Sequence, residues 1–327
     1  MEEFEVVVAI LNKDNANRLR LCLESLVAQT FREFNVVVID GNSKDDSLNI
    51  LHEFSQKDKR IHYIIQKTEG TGFARNEVID YVKKAFPNCS KIVWGDSENF
   101  YDVEYLARIV NACKDKDFTI VGGKNVIDSD TPISQALWWY YNGLPGIQLT
   151  VSGNNECVPM KVYETHRYPN MIRGDDYVFH LELQKEGYKF YKCLDAVCYI
   201  TTVETFKDFI NWTRKKALGL YQGATYKKGL LRQTVLHYLS FNVLTWIYLI
   251  IFFFVYSNLI LLVSYVALPL IASFYFWYMG KPFVKNMRKI TFLYFIPIIL
   301  LHLTLMFFEL IRLDFITRLR AKKKKHK

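Results

Sequence analysis

Two carboxylates one residue apart, Asp96 and Glu98, follow a short apolar run at 92–94. A D-x-E pair at a strand end can hold a hard divalent cation, because such ions take oxygen ligands and bridge diphosphates. Mg2+ or Mn2+ there would neutralise a departing diphosphate; the plainer reading is an acidic turn facing water. A second acidic group, Gly174-Asp175-Asp176, opens a helical stretch, where carboxylates can cap the free amides of a helix start. Other chemistries lose their support. No G-x-G-x-x-G follows the first strand and no G-x-x-x-x-G-K-[ST] occurs, so phosphate is not handled by a dinucleotide fingerprint or a P-loop. Cys22, Cys89, Cys113, Cys157, Cys193 and Cys198 form no C-x-x-C pair, and the seven histidines show no paired ligand spacing. The cysteines read as free buried thiols, and no histidine is proposed as catalytic.

The elements that must position these residues alternate. β-branched runs at 6–11, 36–40, 61–65, 92–94 and 118–122 are separated by amphipathic stretches at 16–29, 44–56, 72–85 and 103–113. Continuous apolar strands with helices between them predict an α/β fold whose mostly parallel sheet is covered on both faces. Ligands of such sheets sit at the carboxyl ends of the strands. Here those ends are polar: Asn12, then Asp40-Gly41-Asn42-Ser43, then Asp96-Ser97-Glu98.

Half of the 327 residues are hydrophobic and 23% are charged, which excludes a disordered chain. The net charge of +9 is concentrated at one end, since residues 281–327 carry 12 Lys/Arg against Glu309 and Asp314, leaving about −1 for the first 280. A nucleic-acid-binding body would spread its positive charge over a face. Runs without Asp, Glu, Lys or Arg at 235–256 and 259–279 are each long enough to cross a hydrocarbon core of roughly 30 Å. Residues 257–258 leave room for a tight turn between them. Lys227, Lys228 and Arg232 before this pair, and Lys281, Lys285, Arg288 and Lys289 after it, place both flanks in the cytoplasm. A third run at 290–308 contains Pro297 and is taken as a further span over about 290–310, although the basic residues after it favour a cytoplasmic end. The tail at 312–327 is read either as a solvated charged end or as a holder of anionic lipid headgroups. The acidic opening residues do not resemble a secretory leader, so the N-terminal part is expected in the reducing cytoplasm.

The order of motifs then carries a resemblance. The run 6–12, Leu23-Glu24-Ser25-Leu26-x-x-Gln29, the run 36–40 with Ser43 and Asp45, Gly72 before Ala74-Arg75-Asn76, and Asp96-x-Glu98 together resemble family 2 glycosyltransferases of the GT-A fold over about residues 4–225. The resemblance implies that Asn12 and Asp40 line the nucleotide pocket. It further implies that Arg75 meets the diphosphate, that Asn76 faces the site, and that Asp96 and Glu98 hold the metal where the family usually has D-x-D. For Arg75 a plain ion pair with a helix acid is an equal alternative. Gly174-Asp175-Asp176 resembles the family's G-E-D segment, which makes Asp176 the expected general base, with Asp175 orienting it. Ser152, Gly153 and Asn154 resemble the loop bordering donor sugar and acceptor, although an ordinary turn has the same composition. Trp138, Trp139, Tyr140 and Tyr141 either stack on a sugar or lipid or belong to the core.

Residues 205–222 read as an interfacial amphipathic helix before the membrane. Asn211-x-x-Arg214-Lys215 stands where processive members carry Q-x-x-R-W, so Arg214 is retained as a phosphate ligand while the tryptophan platform is lost. Single-sugar transfer is therefore expected over processive synthesis. The domains expected are a GT-A catalytic domain at 1–203, an interfacial helix and linker at 204–232, membrane helices at 233–311 and the tail at 312–327. The resemblance implies an inverting enzyme with a UDP- or GDP-sugar donor and a lipid-linked acceptor, such as polyprenyl or dolichyl phosphate. A polysaccharide synthase and a non-catalytic membrane scaffold, the latter motivated by Glu98, are the alternatives.

Overall fold

The computed structural model describes residues 5–114, 119–142, 151–226 and 259–325, with scattered positions between 236 and 251. These form two compact units: residues 1–128 with 139–201, and residues 129–138 with 202–327.

The first unit is an α/β layer. In chain order it contains β1 (Val6–Asn12), α1 (Ala16–Val27), β2 (Phe34–Asp40), α2 (Ser47–Lys57), β3 (Ile61–Ile65), α3 (Thr71–Ala85), β4 (Lys91–Asp96), β5 (Phe100–Tyr101), α4 (Tyr105–Ala112) and β6 (Thr119–Ile127). The short helices α5 (Pro132–Gln135) and α6 (Trp138–Asn142) lie along the segment after β6; then come β7 (Asn155–Pro159), α7 (Val162–Thr165), α8 (Asp175–Lys185) and β8 (Lys189–Ile200). The sheet order is β3-β2-β1-β4-β7-β6-β8-β5. β3, β2, β1 and β4 are parallel neighbours, whereas β7 runs antiparallel between β4 and β6. The fifth apolar run of the sequence therefore does not extend the parallel block directly. Asn155-Glu156 interrupts the apolar signal of the strand that separates them.

Helices cover both faces, so Val7, Val8, Ala9 and Ile10 of β1 are wholly buried. Full burial of such side chains contributes roughly 1.5–3 kcal/mol each. α1 buries Leu19, Cys22, Leu23 and Leu26, the spacing of one helical face. α3 buries Val78, Ile79 and Val82 in the cluster that contains Trp94 and Tyr163. Parallel register aligns Asn12 with Asp40 and Leu11 with Asp96, which brings the three polar strand ends to one edge.

The second unit contains residues 129–138, α9 (Phe206–Tyr226), α10 (Leu259–Gly280), two short 3-10 turns (Lys281–Phe283 and Lys289–Leu293) and α11 (Phe295–Lys325). Residues 129–138, which a sequence boundary at 203 assigns to the catalytic domain, belong here for a physical reason. Trp138 stacks on Phe283 at 5.3 Å, and the buried Gln135 amide donates to Asn286 O while accepting from Arg288 N and Thr291 Oγ1. Of the aromatic cluster, Trp138 is thus a core side chain of this unit.

α9 packs along α11, with Phe209, Thr213 and Ala217 buried and Thr213 Oγ1 3.2 Å from His302 Nδ1. Among the described residues, 295–317 form one helix long and apolar enough to cross a membrane, and 22% of its most apolar stretch is buried. Pro297 stands in the first turn of α11, where its missing amide leaves no intrahelical bond unmade. The run at 259–279 lies within α10, and the run at 290–308 begins in a 3-10 turn before entering α11. α11 continues through the basic stretch to Lys325. The run at 235–256, the turn at 257–258, and Lys227, Lys228 and Arg232 lie outside the described residues, apart from scattered helical positions between 236 and 251.

Candidate active site

The first two strand ends make one hydrogen-bonded corner. Asp40 is fully buried; its Oδ2 accepts from Asn12 Nδ2 at 2.7 Å and Ser43 Oγ at 2.7 Å, and its Oδ1 accepts from Ser43 N at 2.8 Å. Both oxygens are thus committed to the protein, and Asp40 holds the loop rather than facing outward. Asn12 Oδ1, by contrast, is buried without a hydrogen-bond partner. Buried acceptors are seldom left unpaired, so this atom is suited to a ligand donor such as a nucleobase N–H.

The turn after β4 lies beside this corner in the sheet. Ser97 N donates to Leu11 O and Asn99 N to Asp96 O, each at 3.0 Å, which folds the D-x-E turn back on itself. Asp96 is half-buried and Glu98 is exposed. Among the described residues no group of three or more His, Cys, Asp or Glu gathers into a cage. Two carboxylates and no cage fit Mg2+ or Mn2+ shared with a diphosphate, since such ions keep several waters and bind through one or two carboxylates plus phosphate oxygens.

Asn99 connects this turn to the next element. Its Nδ2 donates to Asn154 O at 2.7 Å, and Ser152 Oγ donates to Asn154 Oδ1 at 2.6 Å, so the 152–155 loop is tied on that side. On its other side the loop meets α8. A Cβ built on Gly153 would stand 2.6 Å from both Cβ and Oδ2 of Asp176, so a side chain other than hydrogen does not fit there. Ser152, Gly153 and Asn154 therefore border Asp176 and link it to the Asp96–Glu98 turn.

The two acids that open α8 differ in environment. The helix begins at Gly174, with φ of 79°, and no side chain caps it. Asp176 is half-exposed and its Oδ1 accepts from Tyr177 N at 2.9 Å. Asp175 is buried, takes a hydrogen bond from Thr71 Oγ1, and has Arg75 Nε 3.1 Å from its Oδ2 at an angle too poor for a hydrogen bond. Burial raises the Asp175 pKa against the pull of Arg75. Gly72 allows the approach of α3 that this pairing needs, because a Cβ there would meet Pro169 O at 2.0 Å.

Arg75 is 5% exposed and donates from Nη2 to Gly153 O at 2.6 Å. Its guanidinium carbon lies 4.7 Å from the Trp94 ring centre and 5.0 Å from that of Tyr168. Asn76 is half-buried and engaged by the segment before α8: it donates to Tyr168 O at 2.8 Å and to Asn170 Oδ1 at 3.1 Å, and accepts from Tyr168 N at 3.1 Å. Arg214 lies in the second unit, where Nε donates to Glu309 Oε1 at 3.0 Å, and Arg312 Nε donates to Glu309 Oε2 at 2.6 Å.

Sequence reasoning missed the layer beneath these groups. His180 Nε2 and Glu156 Oε2 are 2.7 Å apart, and Tyr168 Oη lies 3.3 Å from Glu156 Oε1. Nothing in the sequence pairs a strand glutamate with a helix histidine 24 positions on. Asn99, three residues after Asp96, carried a faint signal as an amide inside an otherwise acidic turn.

A profile for glycosyl transferase family 2 matches residues 5–158, and a profile for glycosyl transferase family group 2 matches residues 91–308. The second covers more than half of the chain, and the chain belongs to that glycosyltransferase family. Glycosyltransferase GlyA of Streptococcus pneumoniae is 31% identical over 105 residues, which is 32% of this chain and 14% of that protein. Poly(ribitol-phosphate) beta-glucosyltransferase of Bacillus spizizenii is 28% identical over 127 residues, 37% of this chain and 19% of that protein. The chain thus spans less than a fifth of the length of either relative. Among solved structures, mannosyltransferase PcManGT from Pyrobaculum calidifontis, in complex with GDP-Man and Mn2+, matches with a TM-score of 0.53 at 16% identity, over 68% of this chain and 63% of that one. Likeness at that identity is one of fold, and the α/β layer is of the GT-A type.

Proposed function

We propose that this protein is a membrane-anchored inverting glycosyltransferase, moving one sugar from a UDP- or GDP-sugar to a lipid-linked acceptor at the cytoplasmic face. The acceptor is a polyprenyl or dolichyl phosphate or a lipid-linked glycan. The observation that carries the reading is the 152–155 loop, held on one side by Asn99 of the Asp96–Glu98 turn and packed on the other against the half-exposed Asp176. One element thereby spaces a diphosphate-side carboxylate pair from a candidate base.

Asp176 takes the proton of the acceptor hydroxyl as its oxygen attacks the anomeric carbon. The bond to the nucleoside diphosphate breaks in the same displacement, and its electron pair leaves on the diphosphate. Asp96 and Glu98 would hold the divalent cation that neutralises this charge. Asn12 offers its unpaired Oδ1 to the nucleotide base, and Asp40 keeps Asn12 and Ser43 in place. Ser152, Gly153 and Asn154 border the sugar and acceptor.

Residues 1–203, apart from the 129–138 segment that packs within the second unit, supply the catalytic domain, 204–232 the interfacial helix and linker, and 233–311 the membrane helices, with Arg214 near the lipid phosphate. A helix of the length and apolarity of 295–317, little of it buried, supports this placement. The soluble half of a family 2 enzyme needs no such helix for its chemistry, so a lipid acceptor is the economical reason to keep one.

The test is nucleotide release by detergent-purified protein over a panel of UDP- and GDP-sugars with Mg2+ or Mn2+, with and without polyprenyl phosphate. Release that needs the lipid supports the full reading. Release onto soluble acceptors alone overturns the lipid acceptor and leaves the transferase.

A further inference from the structure

We infer that Arg75 is a positioning residue for the proposed base, clamping the Gly153 backbone to Asp175 and so fixing where Asp176 stands. The inference rests on the transferase reading above and deepens it. It also departs from a role on the donor's diphosphate, which the family resemblance implies for this arginine.

The guanidinium is enclosed rather than open to a ligand, although its Nη1 is buried without a hydrogen-bond partner. It is 5% exposed, its Nη2 is spent on Gly153 O at 2.6 Å, and its Nε faces Asp175 Oδ2 at 3.1 Å. Trp94 and Tyr168 lie within cation–π reach, at 4.7 and 5.0 Å. A diphosphate would have to open this packing to reach it. A charge-assisted bond of this length in a dry setting is strong, and breaking a buried pair leaves an uncompensated charge.

The groups that Arg75 grips are the neighbours of Asp176 on both sides. Asp175 precedes it in the chain and is held from a second direction by Thr71 Oγ1. Gly153 lies against its side chain so closely that an added Cβ would overlap Asp176 Cβ and Oδ2 at 2.6 Å. One rigid, planar cation thus joins α3, the 152–155 loop and the first turn of α8. Lysine, with a single ammonium, does not reproduce a fork that meets a carbonyl and a carboxylate in different directions.

The experiment compares wild type with Arg75→Lys in three readouts: kcat with donor and acceptor KM, affinity for free UDP and GDP by calorimetry, and hydrogen exchange of the amides at 152–155. The expected result is a fall in kcat of about 10²-fold, the scale of a misplacement near 1 Å, with donor KM and nucleotide affinity kept within about twofold. Exchange at 152–155 should speed up. Weakened nucleotide binding and raised donor KM, with kcat and loop exchange unchanged, would overturn the inference and return Arg75 to the donor. If the wild type turns over no nucleotide sugar, the transferase reading fails by itself, and the exchange measurement still decides the clamp. Thr71→Val removes a partner of Asp175 and leaves every charge in place. It is the milder variant should Arg75→Lys not fold, and it is expected to lower kcat without moving donor KM.

Discussion

His180 Nε2 lies 2.7 Å from Glu156 Oε2 with both side chains buried, an ion pair beneath the Arg75 and Tyr168 layer. Burial alone would lower the imidazole's pKa, but the charge and hydrogen bond of Glu156 outweigh it and the pKa is raised. A folded-state pKa above the unfolded one of about 6.5 contributes stability that is fully present below that pH. The contribution is lost as pH rises through the raised folded value. The melting temperature of the detergent-purified protein is therefore expected to decline from about pH 6.5 upward, and His180→Gln should remove that part of the slope. An unchanged slope in the variant would show that the pair does not titrate in this window.

Gly153→Ala tests the fit between loop and helix. The added methyl must displace the Asp176 side chain, since the contact distance of 2.6 Å is far below van der Waals separation. Activity should fall by about 10²-fold, with nucleotide affinity retained. Loss of nucleotide binding instead would mean that the loop serves the donor's base or phosphates. A melting curve within a few degrees of wild type separates either result from unfolding.

Metal dependence tests the Asp96–Glu98 turn. Removing divalent ions with a chelator is expected to abolish nucleotide release, and Mg2+ or Mn2+ to restore it. Glu98→Ala should raise the metal concentration needed for half-maximal rate, because it removes one of the two carboxylates. Glu98→Asp shortens the arm by one methylene and should change the preference between the two ions more than the rate at saturation. Full activity of Glu98→Ala without added metal would sink the assignment.

Much of the first unit was legible because its early strands are continuous β-branched runs. Residues 61–65 are β3 to the residue, and 36–40 fall within β2. Placing Asn12, Asp40 and Asp96 at one edge needed nothing beyond parallel order, and the register of β1 with β2 and β4 puts them there. β7 and β8 were harder. Asn155-Glu156 opens the first, and Lys189, Lys192 and Asp195 interrupt the second, so neither shows the unbroken apolar run of a doubly covered strand.

The site divides in the same way. Asp175 and Asp176 could be picked out as a pair, yet their unlike burial depends on Thr71 and Arg75, a hundred positions earlier. The contact of Arg75 with Gly153 spans 78 positions and rests on the approach that Gly72 permits. Spacing along a chain carries no signal for such contacts. The transfer of residues 129–138 to the second unit is of this kind too, since it depends on Gln135 meeting a turn more than 150 positions away.

The most direct test of the proposed chemistry is the turnover of Asp176→Asn, measured as nucleotide release in the presence of acceptor, beside its affinity for the same nucleotide. Asparagine keeps the shape and the contact with Gly153 and cannot accept the acceptor's proton. The expected result is a fall in kcat of roughly 10²–10⁴-fold with nucleotide affinity unchanged. Turnover at the wild-type rate would contradict it, and would assign Asp176 to the start of α8 alone.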